Sequence, residues 1–338
     1  MKPEALALGG RLLGEGQPCL VAAHVGAAHE GSTDEALRLI EAAFQAGADA
    51  IAFPVFRTTE LVVRRHPERE ALQAAELSPR EWRRVLETAK SSGLAVIAEV
   101  FDAASRDLAA EAGVDAFQAH ATDLDHPELL RTLAAAGRPV LLGTGGSPDD
   151  LLREALAAAG ARVALVLGPP QVPAAAEELR LRDLAALRDR YRVPVGLLDP
   201  TDGGSAFALV VPALAAAQGA DLVEKRLTRD RNRKGPDRAA ALSPEDFYRA
   251  VELLRQAERA RGEGPDGRPS GAPVRGRSIV AGTLIGRGDV ITAEMLRFKR
   301  TDERFDRGLS PREAHRIIGR RAARPIQADE TLREDMLE

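Results

Sequence analysis

From the N-terminus to Arg261, short apolar and β-branched runs alternate with amphipathic stretches rich in Ala, Leu, Glu and Arg. Runs of this length between turn residues are typical of buried strands, and the longer stretches are typical of helices. The predicted strands cover residues 19–25, 49–55, 95–101, 116–121, 139–144, 162–167, 193–198 and 222–227. Eight consecutive strand–helix units predict an α/β fold, a closed (β/α)8 TIM barrel, with a doubly wound parallel sheet as the alternative.

A change of composition divides the chain after this alternating part. Residues 262–276 are rich in Gly and Pro, which predicts a linker. The barrel is therefore expected at residues 1–261 and a small β-rich domain at residues 277–338. Within the small domain, VAGTLIGRGDVITAEML at 280–296 is similar to AARPIQADETLREDML at 322–337, which indicates two related halves.

Composition restricts the classes of partner. The 338 residues carry a formal net charge of −4, which favours neither nucleic acid nor an acidic membrane surface as partner. A single cysteine excludes an intrachain disulfide and a multi-cysteine metal site. No signal peptide and no apolar stretch of membrane-spanning length is recognisable, so we expect a cytoplasmic protein.

The candidate chemistry lies where the predicted strands end, because barrel enzymes place their sites at the carboxyl ends of the strands. Glu99, Glu224 and Lys225 fall inside predicted buried strands, and His24 and His120 end two others. Buried charges are costly unless they are paired. They indicate either a polar pocket at the barrel mouth or ion pairs that hold the barrel together, and the histidines are either acid–base groups or satisfied core residues.

Several phrases together resemble the sialic acid synthase family of N-acetylneuraminate, legionaminate and pseudaminate synthases. They are EKRLT at 224–228, GPD at 235–237, LSP at 242–244, RSIVA at 277–281 and GLSP at 308–311. The resemblance implies a TIM barrel followed by a C-terminal antifreeze-like (SAF) domain. It also implies a transferase that condenses phosphoenolpyruvate with an N-acyl hexosamine, assisted by a divalent cation such as manganese or magnesium. The family arrangement is a domain-swapped homodimer.

Part of the family's site is retained. By resemblance, Asp123 and Asp237 are sugar-binding carboxylates, and Thr144 and Gly145 belong to a substrate-binding turn. Arg300 matches the arginine that the SAF domain inserts into the site of the neighbouring subunit. The expected ligand is therefore a small sugar or sugar acid.

Other family positions are changed. The catalytic glutamate of the first strand is His24, and both phosphoenolpyruvate lysines are absent, with Ala52 and Gln118 in their places. The metal-binding histidines are absent by family match, with Pro200 in one such place. Glu99 adds a negative charge near the phosphate region. We therefore expect the family reaction to be altered or impaired, and whether the chain is an enzyme stays open.

Three hypotheses follow from these changes. In the first, the chain is an enzyme with altered chemistry or substrate, and the rebuilt site uses His24, Glu99, His120, Asp123, Glu224 and Lys225. The first three of these residues even suggest a two-histidine, one-carboxylate metal site. Alternatively, the chain is a pseudoenzyme that pairs with an intact synthase and supplies Arg300. In the third hypothesis the standard reaction survives through the basic run at 229–234, either a lid over an anion or a solvated loop.

Overall fold

The computed structural model describes residues 5–14, 16–233, 235, 238–262, 276–301 and 308–338. The chain forms two compact units, Met1–Glu263 and Gly264–Glu338. The strands are β1 Leu6–Leu8, β2 Arg11–Leu13, β3 Leu20–His24, β4 Ala50–Val55, β5 Ala95–Val100, β6 Ala116–Ala119, β7 Val140–Gly143, β8 Val163–Leu167, β9 Val195–Asp199, β10 Leu222–Arg226, β11 Ser278–Ala281 and β12 Leu296–Lys299. The helices are α1 Thr33–Gln45, α2 Thr58–Leu61, α3 Arg69–Ala75, α4 Pro79–Ser91, α5 Ala103–Glu111, α6 Pro127–Ala135, α7 Asp149–Ala159, α8 Asp183–Tyr191, α9 Phe207–Ala217, α10 Pro244–Arg261 and α11 Ala314–Ile317.

The first unit is the predicted barrel. Its eight parallel strands close in the order β10-β3-β4-β5-β6-β7-β8-β9, and each lies within a residue or two of a predicted strand. All eight are almost completely buried, as expected of parallel strands covered by helices. The closed-barrel prediction is confirmed, and the doubly wound alternative is wrong.

Alternation along the strands sorts their residues into two layers. One set, including Val21, Ile51 and Val96, packs outward against the helices. The other set, including Ala22, Ala52 and Ile97, fills the barrel interior and is apolar. Because side chains alternate between the faces of a strand, the last inward position of each strand reaches the carboxyl end of the barrel. The polar residues described below occupy several of these last inward positions.

Local signals in the sequence set the starts of several helices. Ser32, Ser78 and Ser243 each accept a hydrogen bond from a backbone N–H of the first turn of α1, α4 and α10. Ser78 forms a full capping box with Glu81, followed by Pro79 at the first helical position. These contacts satisfy N–H groups that a helix start otherwise leaves unpaired.

The sequence analysis missed the hairpin β1–β2. Its turn is Gly9-Gly10, both with positive φ, the pair of glycines that a tight primed turn favours. A Cβ on Gly9 would lie 2.7 Å from Cβ of Ala95, at the start of β5, so the turn needs glycine for close approach as well. Leu8 and Leu13 join the apolar cluster of the barrel interior, and the hairpin therefore closes the end opposite the strand C-termini.

The second unit consists of two related halves, as the sequence predicts. Three isolated antiparallel bridges join the halves: Val280 with Thr331, Ile285 with Ile326, and Val290 with Arg321. From one bridge to the next, the residue number rises by five in one half and falls by five in the other. Ile285 and Ile326 exchange reciprocal backbone hydrogen bonds of 2.9 Å. The short 3-10 helices Ala293–Met295 and Glu334–Met336 end the two halves alike. The unit thus has an internal pseudo-twofold relation centred on the two isoleucines.

No helix in the described parts of the chain has the length and apolar character needed to span a membrane.

Candidate functional site

Five polar side chains from four strands meet inside the carboxyl end of the barrel. They are His24 on β3, Glu99 on β5, Gln118 on β6, and Glu224 and Arg226 on β10; we call them the interior ring. Four are buried and Arg226 is half-buried. They lie above the apolar interior layer, so this polar group is confined to the end where barrel enzymes place their sites.

Direct contacts connect the members of the interior ring. His24 Nε2 lies 3.7 Å from Glu99 Oε2, and Arg226 Nη1 lies 3.4 Å from His24 Nδ1. Because a guanidinium only donates, Nδ1 is the acceptor and Nε2 carries the proton that faces Glu99. Gln118 Nε2 donates across the barrel to Glu224 Oε2 at 3.2 Å. The ring therefore spans the barrel from β6 to β10.

Several buried oxygen atoms in this region are unsatisfied. Among the described residues, Glu224 Oε1, Gln118 Oε1 and Thr144 Oγ1 have no hydrogen-bond partner. Glu224, Gln118 and Thr144 are each at least 98% buried. Buried polar atoms are normally paired, and an unpaired one costs about 1–3 kcal/mol. A ligand that carries hydroxyl or amide donors would satisfy them.

The two buried carboxyl groups have pKa values shifted in opposite directions. Burial raises the pKa of Glu224 above its ordinary value, more than His24, Gln118 and Arg226 lower it. Burial also disfavours ionised Glu99, but its contact with His24 and the positive charge of Arg226 prevail and lower its pKa. The surroundings thus shift the two carboxyl groups in opposite directions, Glu224 toward its protonated form and Glu99 toward its ionised form.

Lys225 is not brought together with the interior ring. Adjacent residues of a strand point to opposite faces, so Lys225 lies in the layer between barrel and helices. Its Nζ lies 3.0 Å from Asp199 Oδ2 and donates to the carbonyl and hydroxyl oxygens of Thr201 at 3.0 and 3.1 Å. Burial lowers its pKa despite Asp199. For this residue the geometry favours the ion-pair interpretation.

His120 and Asp123 lie at the rim. His120 is exposed, its Nδ1 contacts Thr122, and its ring lies 6.3 Å from that of Phe101. Asp123 is half-buried, and burial together with the charge of Glu99 raises its pKa, against the effect of His120. Both therefore act electrostatically on the mouth of the barrel, near Glu99.

The turn after β7 is shaped by close packing. Gly145 has φ +52°, and a Cβ there would lie 2.5 Å from Cβ of Ala121. Thr144, beside it, is buried with its hydroxyl unsatisfied, as described above. Thr144 and Gly145 directly follow the carboxyl end of β7, and only glycine fits the second position. Their place in a substrate-binding turn stays a prediction.

The described arginines of the basic run after β10 each lie close to a carboxylate. Arg229 pairs with Glu35 at 2.9 Å, Arg231 with Asp202 at 3.4 Å, and Arg233 with Glu30 at 2.6 Å. These arginines are therefore neutralised by loops of neighbouring units. Over residues 229–233 the lid hypothesis loses the free charges on which it depended, and Lys234 lies outside the described residues.

The contacts described above do not test two further predicted site residues. Asp237 lies outside the described residues. Arg300 is exposed directly after β12 in the second unit. Their roles stay predictions.

The donors present do not fit the divalent cation that the family implies. Among the described residues, no group of three or more His, Cys, Asp or Glu side chains is arranged to hold a metal ion. His24, Glu99 and His120 are all described, and they do not form such a group. The hypothesis of a two-histidine, one-carboxylate metal site is therefore wrong for the described residues.

Sequence reasoning missed Arg226 as a member of the site. The available signal was the alternation along β10, because a residue two positions after inward-facing Glu224 must also face inward. The sequence analysis selected Lys225 instead because it is a charged residue in a buried strand. The alternation of side chains, however, places Lys225 on the outer face of β10.

Comparisons with known proteins bear on the whole chain. Residues 39–266 match the NeuB family and residues 276–338 the SAF domain. An uncharacterized protein of Methanocaldococcus jannaschii is 30% identical over 343 residues, which cover 99% of each chain. An N,N'-diacetyllegionaminic acid synthase of Legionella pneumophila is 28% identical over 342 residues, which cover 94% of each.

Solved structures agree on the fold. The N-acetylneuraminic acid (sialic acid) synthetase of Leptospira borgpetersenii superposes with a TM-score of 0.74 at 24% identity, covering 79% of this chain and 93% of that one. The spore coat polysaccharide biosynthesis protein SpsE of Bacillus subtilis gives 0.69 at 24% identity, with 99% of both chains covered. The resemblance found in the sequence is therefore confirmed, and the chain belongs to the NeuB family, with a C-terminal SAF domain.

Proposed function

We propose that this NeuB-family protein acts in the biosynthesis of acidic sugars, binds a sugar or sugar acid at the barrel mouth, and does not use the metal-assisted condensation with phosphoenolpyruvate. The observation that carries the proposal is the charge of the interior ring. Two carboxyl groups, Glu99 and Glu224, are combined with one guanidinium, that of Arg226. Such a ring suits a ligand with many hydroxyl groups and at most one carboxylate.

Phosphate binding is disfavoured at the same place. Where the family resemblance expects lysines, Ala52 and Gln118 are buried residues whose neighbours line the interior. The two lysines that the family resemblance expects are therefore replaced by uncharged residues within the barrel interior itself. The arginines of the basic run do not replace them, since carboxylates already neutralise Arg229 and Arg233. A multiply charged phosphate beside ionised Glu99 would be repelled.

The test is an assay of phosphate release from phosphoenolpyruvate with N-acetylmannosamine and Mn²⁺. We expect none above the blank without protein. In the variant Ala52→Lys/Gln118→Lys, which restores both lysines, phosphoenolpyruvate should bind more tightly. Phosphate release by the unmodified protein that depends on the sugar would contradict the proposal.

A second role, as partner subunit of an intact synthase, is supported by one feature. Arg300 is exposed after β12, in a domain that matches SAF over residues 276–338. An intact legionaminate synthase mixed with this chain should form a mixed oligomer, and Arg300→Ala should reduce its rate. A chain that never exchanges subunits would exclude this role.

A further inference from the structure

Helix α9 presents an apolar surface on the outside of the barrel. Its sequence from Phe207 to Ala217 is FALVVPALAAA, without a charged or hydrogen-bonding side chain. Every other α-helix in the described parts of the chain contains at least one charged residue. A surface helix normally turns a polar face outward, and a helix that is apolar on all sides is normally buried. The outer face of α9 is therefore expected to be covered.

The exposed side of α9 is one continuous stripe with two edges. Phe207, Val210 and Leu214, at spacings of three and four residues, form the large edge and are 37%, 41% and 39% exposed. The other edge begins at the N-cap residue and consists of two exposed alanines and one half-buried alanine: Ala206, Ala217 and Ala213. We call these six residues the α9 stripe. It combines a ridge of large side chains with a shallow groove over the alanines.

Helix α10 borders the alanine edge. Arg261 Nη1, at the end of α10, donates to the carbonyl oxygen of Ala216 at 3.4 Å, so α10 runs beside α9. Ala213 lies one turn before Ala216 and therefore on the same side of α9. Leu253 lies two turns before Arg261, on the same side of α10, and is 37% exposed. It forms the far wall of the groove.

The area of this surface suits a second copy of the chain. The large edge leaves roughly 200 Å² exposed, and the alanines and Leu253 bring the apolar total to roughly 350–400 Å². A stable interface removes about 800 Å² from each partner, of which somewhat more than half is apolar. The α9 stripe and Leu253 supply most of that apolar part. The stripe carries no charge that would select a partner of opposite charge, and its ridge and groove complement each other.

We propose that α9 forms a homodimer interface, in which the α9 stripe packs against that of a second copy about a twofold axis roughly parallel to the helix. Such an axis places the large edge of each copy against the alanine edge of the other, so that ridge enters groove on both sides. Val210, in the middle of the stripe, then meets its own counterpart. This barrel–barrel contact is separate from the domain swap that the family resemblance implies, and it does not rest on the proposed function.

Light scattering of the full chain in solution tests the interface. The unmodified protein should have at least twice the chain mass of 36.1 kDa. Val210→Arg should halve the measured mass, because two guanidinium groups would face each other within an apolar contact. Val63→Arg, at a valine that is 73% exposed outside the stripe, is the matched control and should leave the mass unchanged. An unchanged mass in Val210→Arg would overturn the proposal.

Cross-linking tests the contact without introducing a charge. Under mild oxidation, Val210→Cys should form a disulfide between two copies at least about 10-fold faster than Val63→Cys, because proximity raises the effective concentration. The native Cys19 is buried and does not compete. Equal rates would overturn the proposal even for a dimeric protein, since the dimer would then use another surface. A monomeric unmodified protein would also overturn it and would point to a different protein as the occupant of the stripe.

Discussion

The two faces of β10 carry buried charges with opposite environments. On the outer face, Lys225 Nζ lies 3.0 Å from Asp199 Oδ2 and hydrogen-bonds to Thr201, which in turn hydrogen-bonds to Asp199 Oδ1; Asp199 Oδ2 has the ion pair but no hydrogen bond among the described residues. On the inner face, Glu224 has one hydrogen bond at 3.2 Å, and its second oxygen is unpaired among the described residues. Residues adjacent in sequence therefore belong to two different polar groups.

This difference indicates separate roles for the outer group and the interior ring. A buried carboxylate that faces a buried cation at ion-pair distance has its charge compensated within the fold, and removing either partner is costly. A buried polar group with unpaired oxygens beside the barrel mouth carries an unfavourable free energy, which a ligand that hydrogen-bonds to those oxygens would remove. The outer group is therefore expected to control stability, and the interior ring to control binding.

The largest effect is expected for Lys225→Met. It leaves Asp199 buried without its cation, which should reduce the free energy of unfolding by about 3–5 kcal/mol. Urea denaturation followed by circular dichroism measures this. Arg83→Met, which breaks an exposed pair with Glu111, is the control and should cost less than about 1 kcal/mol. Equal costs for the two variants would remove the distinction between the outer group and the surface.

His29 is a third buried polar case, away from the ring. It is completely buried against Trp82, and burial lowers its pKa to about 4. The unfolded chain binds a proton near pH 6.5 whereas the folded one does not, so stability is lost as pH falls from 6.5 to 4, by roughly 3 kcal/mol.

Urea denaturation repeated at several pH values measures this loss. His29→Phe should flatten the dependence between pH 4 and 6.5. His126→Ala, at an exposed histidine, should leave it unchanged. A pH dependence that survives in His29→Phe would assign it to other groups.

Gly145→Ala tests the border of the site. The substitution combines a positive φ with a Cβ 2.5 Å from that of Ala121, so we expect a loss of about 2–3 kcal/mol. Gly146→Ala also has a positive φ, but its Cβ meets no atom of the described residues within 4 Å, and about 1 kcal/mol should be lost. Thermal melts of both variants measure the difference, and equal losses would contradict the crowding argument.

The smallest effect is expected for Glu224→Gln. Burial already favours the protonated carboxyl group, and an amide has nearly the same shape, so stability should change by less than about 1 kcal/mol. Asp199→Asn on the outer side is equally conservative but leaves Lys225 without its counter-charge. It should cost more than Glu224→Gln in the same denaturation experiment, and the reverse order would contradict the comparison.

The sequence predicted the barrel because its eight strands have a strong local signal. Each is a short apolar run, and Ser32, Ser78 and Ser243 mark helix starts by local hydrogen bonds. The hairpin β1–β2 was missed because its three-residue strands are too short for a clear period. The two halves of the second unit were visible because their similarity extends over more than a dozen residues.

The site was predicted only in part. His24, Glu99 and Glu224 were identified from their unusual places in buried strands, and they do meet. Lys225 was grouped with them because it is adjacent to Glu224 in sequence. Adjacent side chains of a strand point to opposite faces, however, so Lys225 faces the helices and not the barrel interior. The pairing of the basic run with Glu35 and Glu30 involves residues about 200 positions away, which no local pattern reveals.

Calorimetric titration of phosphoenolpyruvate into the protein, with and without Mn²⁺, tests the central claim most directly. The account predicts no saturable heat in either condition, because the interior ring combines Glu99 with a single guanidinium and the described residues contain no metal-binding group of three or more His, Cys, Asp or Glu side chains. Saturable binding tighter than about 1 mM, equivalent to more than about 4 kcal/mol, would contradict it and would show that the barrel mouth still accepts the phosphate.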